Sequence, residues 1–142
     1  MRKNSLLLTG IIFCSSVVHA SSINVRILTT KVIHSFIFSP IVGSYDIYGD
    51  GKLLSNTEAA GIFQMNIEGD SVLLKTFERT IGKYGTLKML AKQPNAAFKI
   101  KSVMPESKVR TYEDNLTVGL TADKKQFLLI NKVDVEKYIG GV

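Results

Sequence analysis

A chain of 142 residues with 45% hydrophobic side chains is long enough to bury one real core and too short for several domains. Its 18 Lys+Arg against 12 Asp+Glu are dispersed and follow no recognition motif, which argues against a nucleic-acid reader. One cysteine and two histidines supply neither a disulfide framework nor a metal-ligand cluster.

The N-terminus reads as a secretory signal peptide over 1–20. Arg2-Lys3 is the charged part, 6–14 the apolar part and Val18-His19-Ala20 the small-residue end, with cleavage expected after Ala20. The apolar run falls short of the roughly 20 residues that span a bilayer, so no stable membrane anchor is expected once the signal is cut. A lipid on Cys14 is disfavoured by the bulky Phe13 before it. Cys14 leaves with the leader, so packing alone must hold the exported protein together. The leader carries two basic and no acidic residues, which turns 18 against 12 into 16 against 12, a net +4. That charge suits either simple solubility or an anionic envelope polymer.

From Asn24 the chain reads as strand after strand. Residues 24–29 alternate, 32–38 continue in β-branched and aromatic residues until Pro40 breaks the run, and 43–48 set Tyr45 and Ile47 on one face. Gly49-Asp50-Gly51 turns the chain into Lys52-Leu53-Leu54 as a hairpin, and 55–60 form a polar break. An alternating strand over 62–67 turns at Glu68-Gly69-Asp70 into 72–77. Gly82 and Gly85 punctuate the region around Tyr84, 86–90 is a short strand, and 92–95 is a turn. Strands follow at 97–103 and 109–112, separated by the loop 104–107. Glu113-Asp114-Asn115 turns the chain into 116–121, and 122–125 closes a hairpin onto Phe127.

The unbroken apolar run 127–130 has the pattern of a strand covered on both faces, and Asn131 closes it. A helix should begin after Asp134, whose carboxylate can accept from free backbone N–H groups of the next turn, with Glu136 at the positive end of the helix dipole. Val135, Tyr138 and Ile139 then share one apolar face. Gly140-Gly141 ends the helix or lets its backbone approach another group closely. The fold class that follows is mainly β, a β-rich α+β domain of antiparallel strands and hairpins over 21–142 with one short C-terminal helix.

The segment Asn131-Lys-Val-Asp-Val-Glu-Lys-Tyr-Ile-Gly-Gly-Val142, with Arg110-Thr-Tyr112 and Asn115-Leu-Thr-Val118 upstream, resembles the SpoIID/LytB domain family, the stage II sporulation protein D and amidase-enhancer proteins. The resemblance covers 110–142 well and the earlier strands loosely. Val135 stands where the family has Leu, and Asn115 where it has a glycine. The family's catalytic acid comes a few residues after its Gly-Val pair, and Val142 is the last residue here, so the resemblance implies the N-terminal part of a truncated, incomplete domain.

The resemblance implies a peptidoglycan-facing role. Members on the SpoIID side act as lytic transglycosylases on glycan strands, where the substrate's own hydroxyl replaces the second carboxylate that an ordinary glycosidase needs. LytB-type members enhance a partner amidase. The partners implied are peptidoglycan glycan strands and a cell-wall amidase, in the periplasm or outside the cell, with no cofactor and no metal. No catalytic residue is expected within the chain; Glu136 is its weak candidate, and its place in the first helical turn favours a charged, structural carboxylate. The substrate-binding candidates are Arg110, Tyr112, Glu136, Tyr138, Gly140 and Gly141. Arg110 and Tyr112 can hydrogen-bond and stack on a sugar ring, or be an ordinary pair on a sheet surface. Tyr138 packs under the helix or, as the family implies, shapes a groove floor. His34 lies among apolar residues as a lone imidazole, a filler or an exposed strand residue. An enzyme, a binding or amidase-stimulating module, and an envelope domain of unrelated role stay open.

Overall fold

The computed structural model describes residues 21–57 and 61–140. The leader read over 1–20, with Cys14, and the closing Gly141 and Val142 lie outside the described residues, as do 58–60 of the polar break. In chain order the strands are β1 Ser22–Ile27, β2 Ser35–Val42, β3 Tyr45–Gly49, β4 Lys52–Thr57, β5 Phe63–Glu68, β6 Ser71–Thr76, β7 Thr80–Tyr84, β8 Leu87–Ala91, β9 Ala97–Met104, β10 Arg110–Glu113, β11 Asn115–Leu120 and β12 Phe127–Asp134, followed by the helix α1 Val135–Gly140. They build two six-stranded antiparallel sheets, ordered β1-β12-β11-β8-β3-β4 and β10-β9-β2-β5-β6-β7. The mainly β class with one short helix is therefore the class this chain adopts.

Alternation in each strand sends one set of side chains to a shared core. Phe36, Phe38, Met65, Leu74, Phe98 and Ile100 come from one sheet, and Tyr45, Ile47, Leu87, Met89, Leu116 and Leu129 from the other, all nearly or wholly buried. Rings lock the layers together: Phe36 meets Phe127 edge-on at 4.8 Å, Phe38 meets Tyr45 at 5.5 Å, and Tyr45 meets Phe98 at 5.8 Å. Each such pair contributes about 0.5–1.5 kcal/mol beyond the area it buries.

Several expectations are corrected. Pro40 does not break β2, which runs on to Val42 while residues 32–34 lie outside any strand. The ladder to β5 ends at Phe38, so Pro40 is paired only with Phe98 of β9, next to a register shift, where a missing N–H is tolerated. β4 continues to Thr57, into the expected polar break. The glycine-punctuated stretch around Tyr84 is strand β7, bulged against β6. Asn131 does not close β12, because β11 pairs with that strand as far as Lys132 and β1 as far as Asp134. The 113–115 turn forms as expected, with Asp114 its left-handed residue at φ 64°. His34 is exposed and lies outside the strand.

One topological feature positions the site. β1 is the edge of its sheet and β10 the edge of the other, on the same side of the sandwich, so an unclosed seam runs between them. Ile23, Val25 and Ile27 point inward from β1 yet stay half-buried.

Candidate functional site

The chain leaves β10 for β11 through Glu113-Asp114-Asn115, crossing from one sheet to the other. Asp114 can take its left-handed φ because a short carboxylate side chain tolerates that region better than most. Its amide donates to the Ala96 carbonyl at 3.0 Å. The buried Asn131 amide, in the middle of β12, donates to the carbonyls of Glu113 at 2.7 Å and Asn115 at 2.9 Å. Asn115 Oδ1 in turn accepts from the Ala91 amide at 2.8 Å. The buried polar residue of β12 is thus explained: it satisfies two carbonyls at the sheet-to-sheet crossing.

The helix is fixed to this same turn. Asp134 Oδ1 accepts from the amides of Glu136 at 2.8 Å and Lys137 at 3.3 Å, the cap expected from sequence. Asp114 Oδ2 accepts from the Asp134 amide at 3.1 Å, and Lys137 Nζ lies 3.1 Å from Asp114 Oδ1 and 3.8 Å from Glu113 Oε2. The expected apolar face of α1 is not buried, since no residue of the helix is, and Tyr138 and Ile139 are 47% and 64% exposed.

These elements frame a groove of about 510 Å³ at the end of the seam. Val25, Ile27 and Val133 give it apolar walls; Thr111, Tyr112 and Glu113 line it from β10; Lys137 and Tyr138 line it from the helix. Tyr112 is half-buried with its ring 5.8 Å from that of Phe98. Burial pushes its phenol above the usual range, and the nearby Arg110 charge partly offsets that. Tyr138 stands half-exposed, leaving ring surface free to be covered.

Of the residues singled out from sequence, Tyr112 and Tyr138 are brought together here. Glu136 is exposed and is not among the groove's lining residues. Gly140 is exposed, and a Cβ built on it would meet nothing within 4 Å, so no close backbone approach among the described residues explains it. Gly141 lies outside the described residues. Arg110 lines the neighbouring pocket further along the seam. Sequence reasoning missed Lys137, Glu113 and the β1 wall; the β1–β12 pairing and the Lys137 contacts with Glu113 and Asp114 that gather them are long-range and leave no local signal.

Among the described residues no group of three or more His, Cys, Asp or Glu could hold a metal ion, and no helix is long and apolar enough to cross a membrane. Comparison with family models, with curated proteins and with solved structures found no match.

Proposed function

We propose that the groove between β1, β10 and α1 binds a peptidoglycan glycan strand, and that the chain is the glycan-binding part of an exported cell-wall protein. The observation that carries this reading is the meeting of Tyr112 and Tyr138 in one groove with Thr111, Glu113 and Lys137 beside them. A pyranose ring offers a C–H face to an aromatic side chain and a rim of hydroxyls to donors and acceptors. Tyr138 supplies the exposed ring, Glu113 accepts, and Thr111 and Lys137 donate. The resemblance of 131–142 to SpoIID/LytB domains supports the same substrate class.

Binding fits the groove better than cleavage. General-acid work on a glycosidic oxygen asks for a carboxyl buried away from cations. Glu113 is half-exposed and 3.8 Å from the Lys137 ammonium, which suits a hydrogen-bond acceptor. Transglycosylase-like cleavage, the activity the resemblance implies, needs a proton donor besides those described in this groove. The exposed Tyr138–Ile139 face favours a second reading, a module that docks on and stimulates a cell-wall amidase.

Co-sedimentation of the purified chain with isolated sacculi, and titration with glycan strands freed of stem peptides, test the proposal. Saturable binding that Tyr138→Ala weakens about tenfold is expected, roughly 1.4 kcal/mol of lost contact. Wild-type protein that stays in the supernatant, or a Tyr138→Ala variant that binds as well as wild type, would remove it.

A further inference from the structure

Arg110 opens β10 but does not join Tyr112 in the groove. It lines a separate pocket of about 240 Å³ with Lys31 from the β1–β2 connection and Lys108 from the β9–β10 connection. Leu28 and Ile33 supply apolar walls, and Ser102 and Ser107 supply hydroxyls. Three cations therefore reach one hollow from two stretches of chain far apart in sequence, Lys31 from one and Lys108 with Arg110 from the other. None of the three forms an ion pair among the described residues. A fourth, Lys101, lines the adjoining hollow with Lys31 and Lys108. The opposing charge there is Glu106, 81% exposed and 3.7 Å from Lys101.

The two connections are held in place by backbone bonds. The His34 amide donates to the Met104 carbonyl at 2.9 Å, the Phe127 amide to Ile33 at 3.3 Å, and the Ser107 amide to Ser102 at 3.1 Å. The Ser102 hydroxyl donates to the Pro105 carbonyl. Leu28, where the chain turns out of β1 above the pocket, has φ 56°, a left-handed conformation uncommon for an aliphatic residue. Such backbone persists where its surroundings impose it, and here it carries the chain toward Lys31.

Apolar side chains are interleaved with these cations. Val32 follows Lys31, Val109 sits between Lys108 and Arg110, and Val103 and Met104 follow Lys101 and Ser102 at the end of β9. All four are exposed, Met104 by 61%, Val109 by 51%, Val32 by 50% and Val103 by 41%. Cations alternating with exposed apolar tips match the boundary of an anionic bilayer, where ammonium and guanidinium groups meet phosphates and short apolar side chains enter the acyl boundary. The concave pocket adds a seat for one headgroup. A phosphate presents several oxygens, enough for the Arg110 fork and two ammonium groups at once. A carboxylate has two, which Arg110 alone can occupy.

We infer that this end of the sandwich docks reversibly on an anionic phospholipid surface, with one headgroup phosphate in the pocket of Lys31, Lys108 and Arg110 and with Val32, Met104 and Val109 at the acyl boundary. Such docking sets the Tyr112–Tyr138 groove beside a membrane, but it does not depend on what that groove binds. Sacculus binding and vesicle binding are separate measurements, so either reading can fail alone.

Flotation of the full chain with phosphatidylcholine vesicles, with and without phosphatidylglycerol, is the test. Association with phosphatidylglycerol vesicles only, weakening as salt rises, is expected. The double variant Lys31→Glu/Lys108→Glu should bind at least about tenfold more weakly, and Val109→Asp should also lose binding, both melting as wild type does. Lys88→Glu, on the outer face of central β8, should change binding by less than about twofold. The inference is overturned by no association with either vesicle, by equal association with both, or by a charge-reversed double variant or a Val109→Asp variant that binds as wild type. Binding of soluble polyphosphate through the same lysines without any vesicle association would overturn it in favour of a phosphate polymer.

Discussion

Lys137 Nζ sits 3.1 Å from Asp114 Oδ1 and so joins the terminal helix to the turn by which the chain passes from one sheet to the other. The relationship is reciprocal. Asp114 holds α1 through this ion pair and through the Asp134 amide, while Lys137 offsets the paired negative charges of Glu113 and Asp114. With Asn131 gripping both carbonyls around Asp114, the groove's wall and its lip form one connected unit.

Removing the ammonium should loosen that lip without unfolding the sandwich. The Lys137 and Asp114 side chains are 32% and 21% exposed, so screening keeps the pair's contribution small. Lys137→Met is expected to cost about 0.5–1 kcal/mol in urea unfolding and to speed hydrogen exchange at the α1 amides. Unchanged exchange at those amides would mean that the ion pair does not hold the helix.

Asn131 should matter more, because its loss strands two partners at once. Asn131→Leu keeps the volume but leaves the Glu113 and Asn115 carbonyls without their donor, at a cost of about 1–3 kcal/mol. Urea unfolding reads it directly. A variant as stable as wild type would show that other donors reach those carbonyls.

The strands and turns were largely legible because their signals are local. Asp50-Gly51, with φ 49° and 82°, is the hairpin turn its residues demand, and Asp134 caps α1 as its side chain requires. What escaped was decided by residues far away in the chain. Pro40 stays in β2 because the β2–β5 ladder stops at Phe38, and β12 outruns its apolar core because β1 pairs with it as far as Asp134. The groove was half legible: Tyr112 and Tyr138 were singled out, but the seam that joins them exists only once β1 and β10 become edge strands on the same side. Arg110, two residues from Tyr112 and on the same face of β10, lines another pocket, since the rise of about 6.6 Å over two strand residues carries a side chain from one hollow to the next.

Alkaline pH should find a weak point at Tyr45. Burial, and after it the charges of Asp114 and Glu113, push its phenol well above its ordinary 10.0, so folding favours the neutral form. The sign follows from linkage. Below about pH 10 the phenol is protonated in both states and stability is undiminished; above it the unfolded chain ionises first, and stability falls by up to about 1.4 kcal/mol per pH unit. Tyr45→Phe should therefore flatten the decline in unfolding free energy above pH 10, leaving the smaller share from Tyr112, whose phenol burial also raises. An alkaline slope identical in Tyr45→Phe and wild type would exclude Tyr45 as its source.

The two exposed apolar residues of α1 should separate glycan binding from amidase stimulation. Tyr138 lines the groove, whereas Ile139, 64% exposed, is not among its lining residues. If the groove holds a glycan strand, Tyr138→Ala loses about tenfold in affinity for stripped strands and Ile139→Ala loses less than about twofold, with neither shifting the melting temperature because no residue of α1 is buried. If the helix instead docks on an amidase, both substitutions reduce stimulation of that amidase while strand binding is absent in wild type as well. Equilibrium titration of the three proteins against stripped strands, run beside an amidase turnover assay, distinguishes the outcomes. A pattern in which Ile139 controls strand binding and Tyr138 does not would place the sugar on the outer face of the helix and remove the groove from the argument.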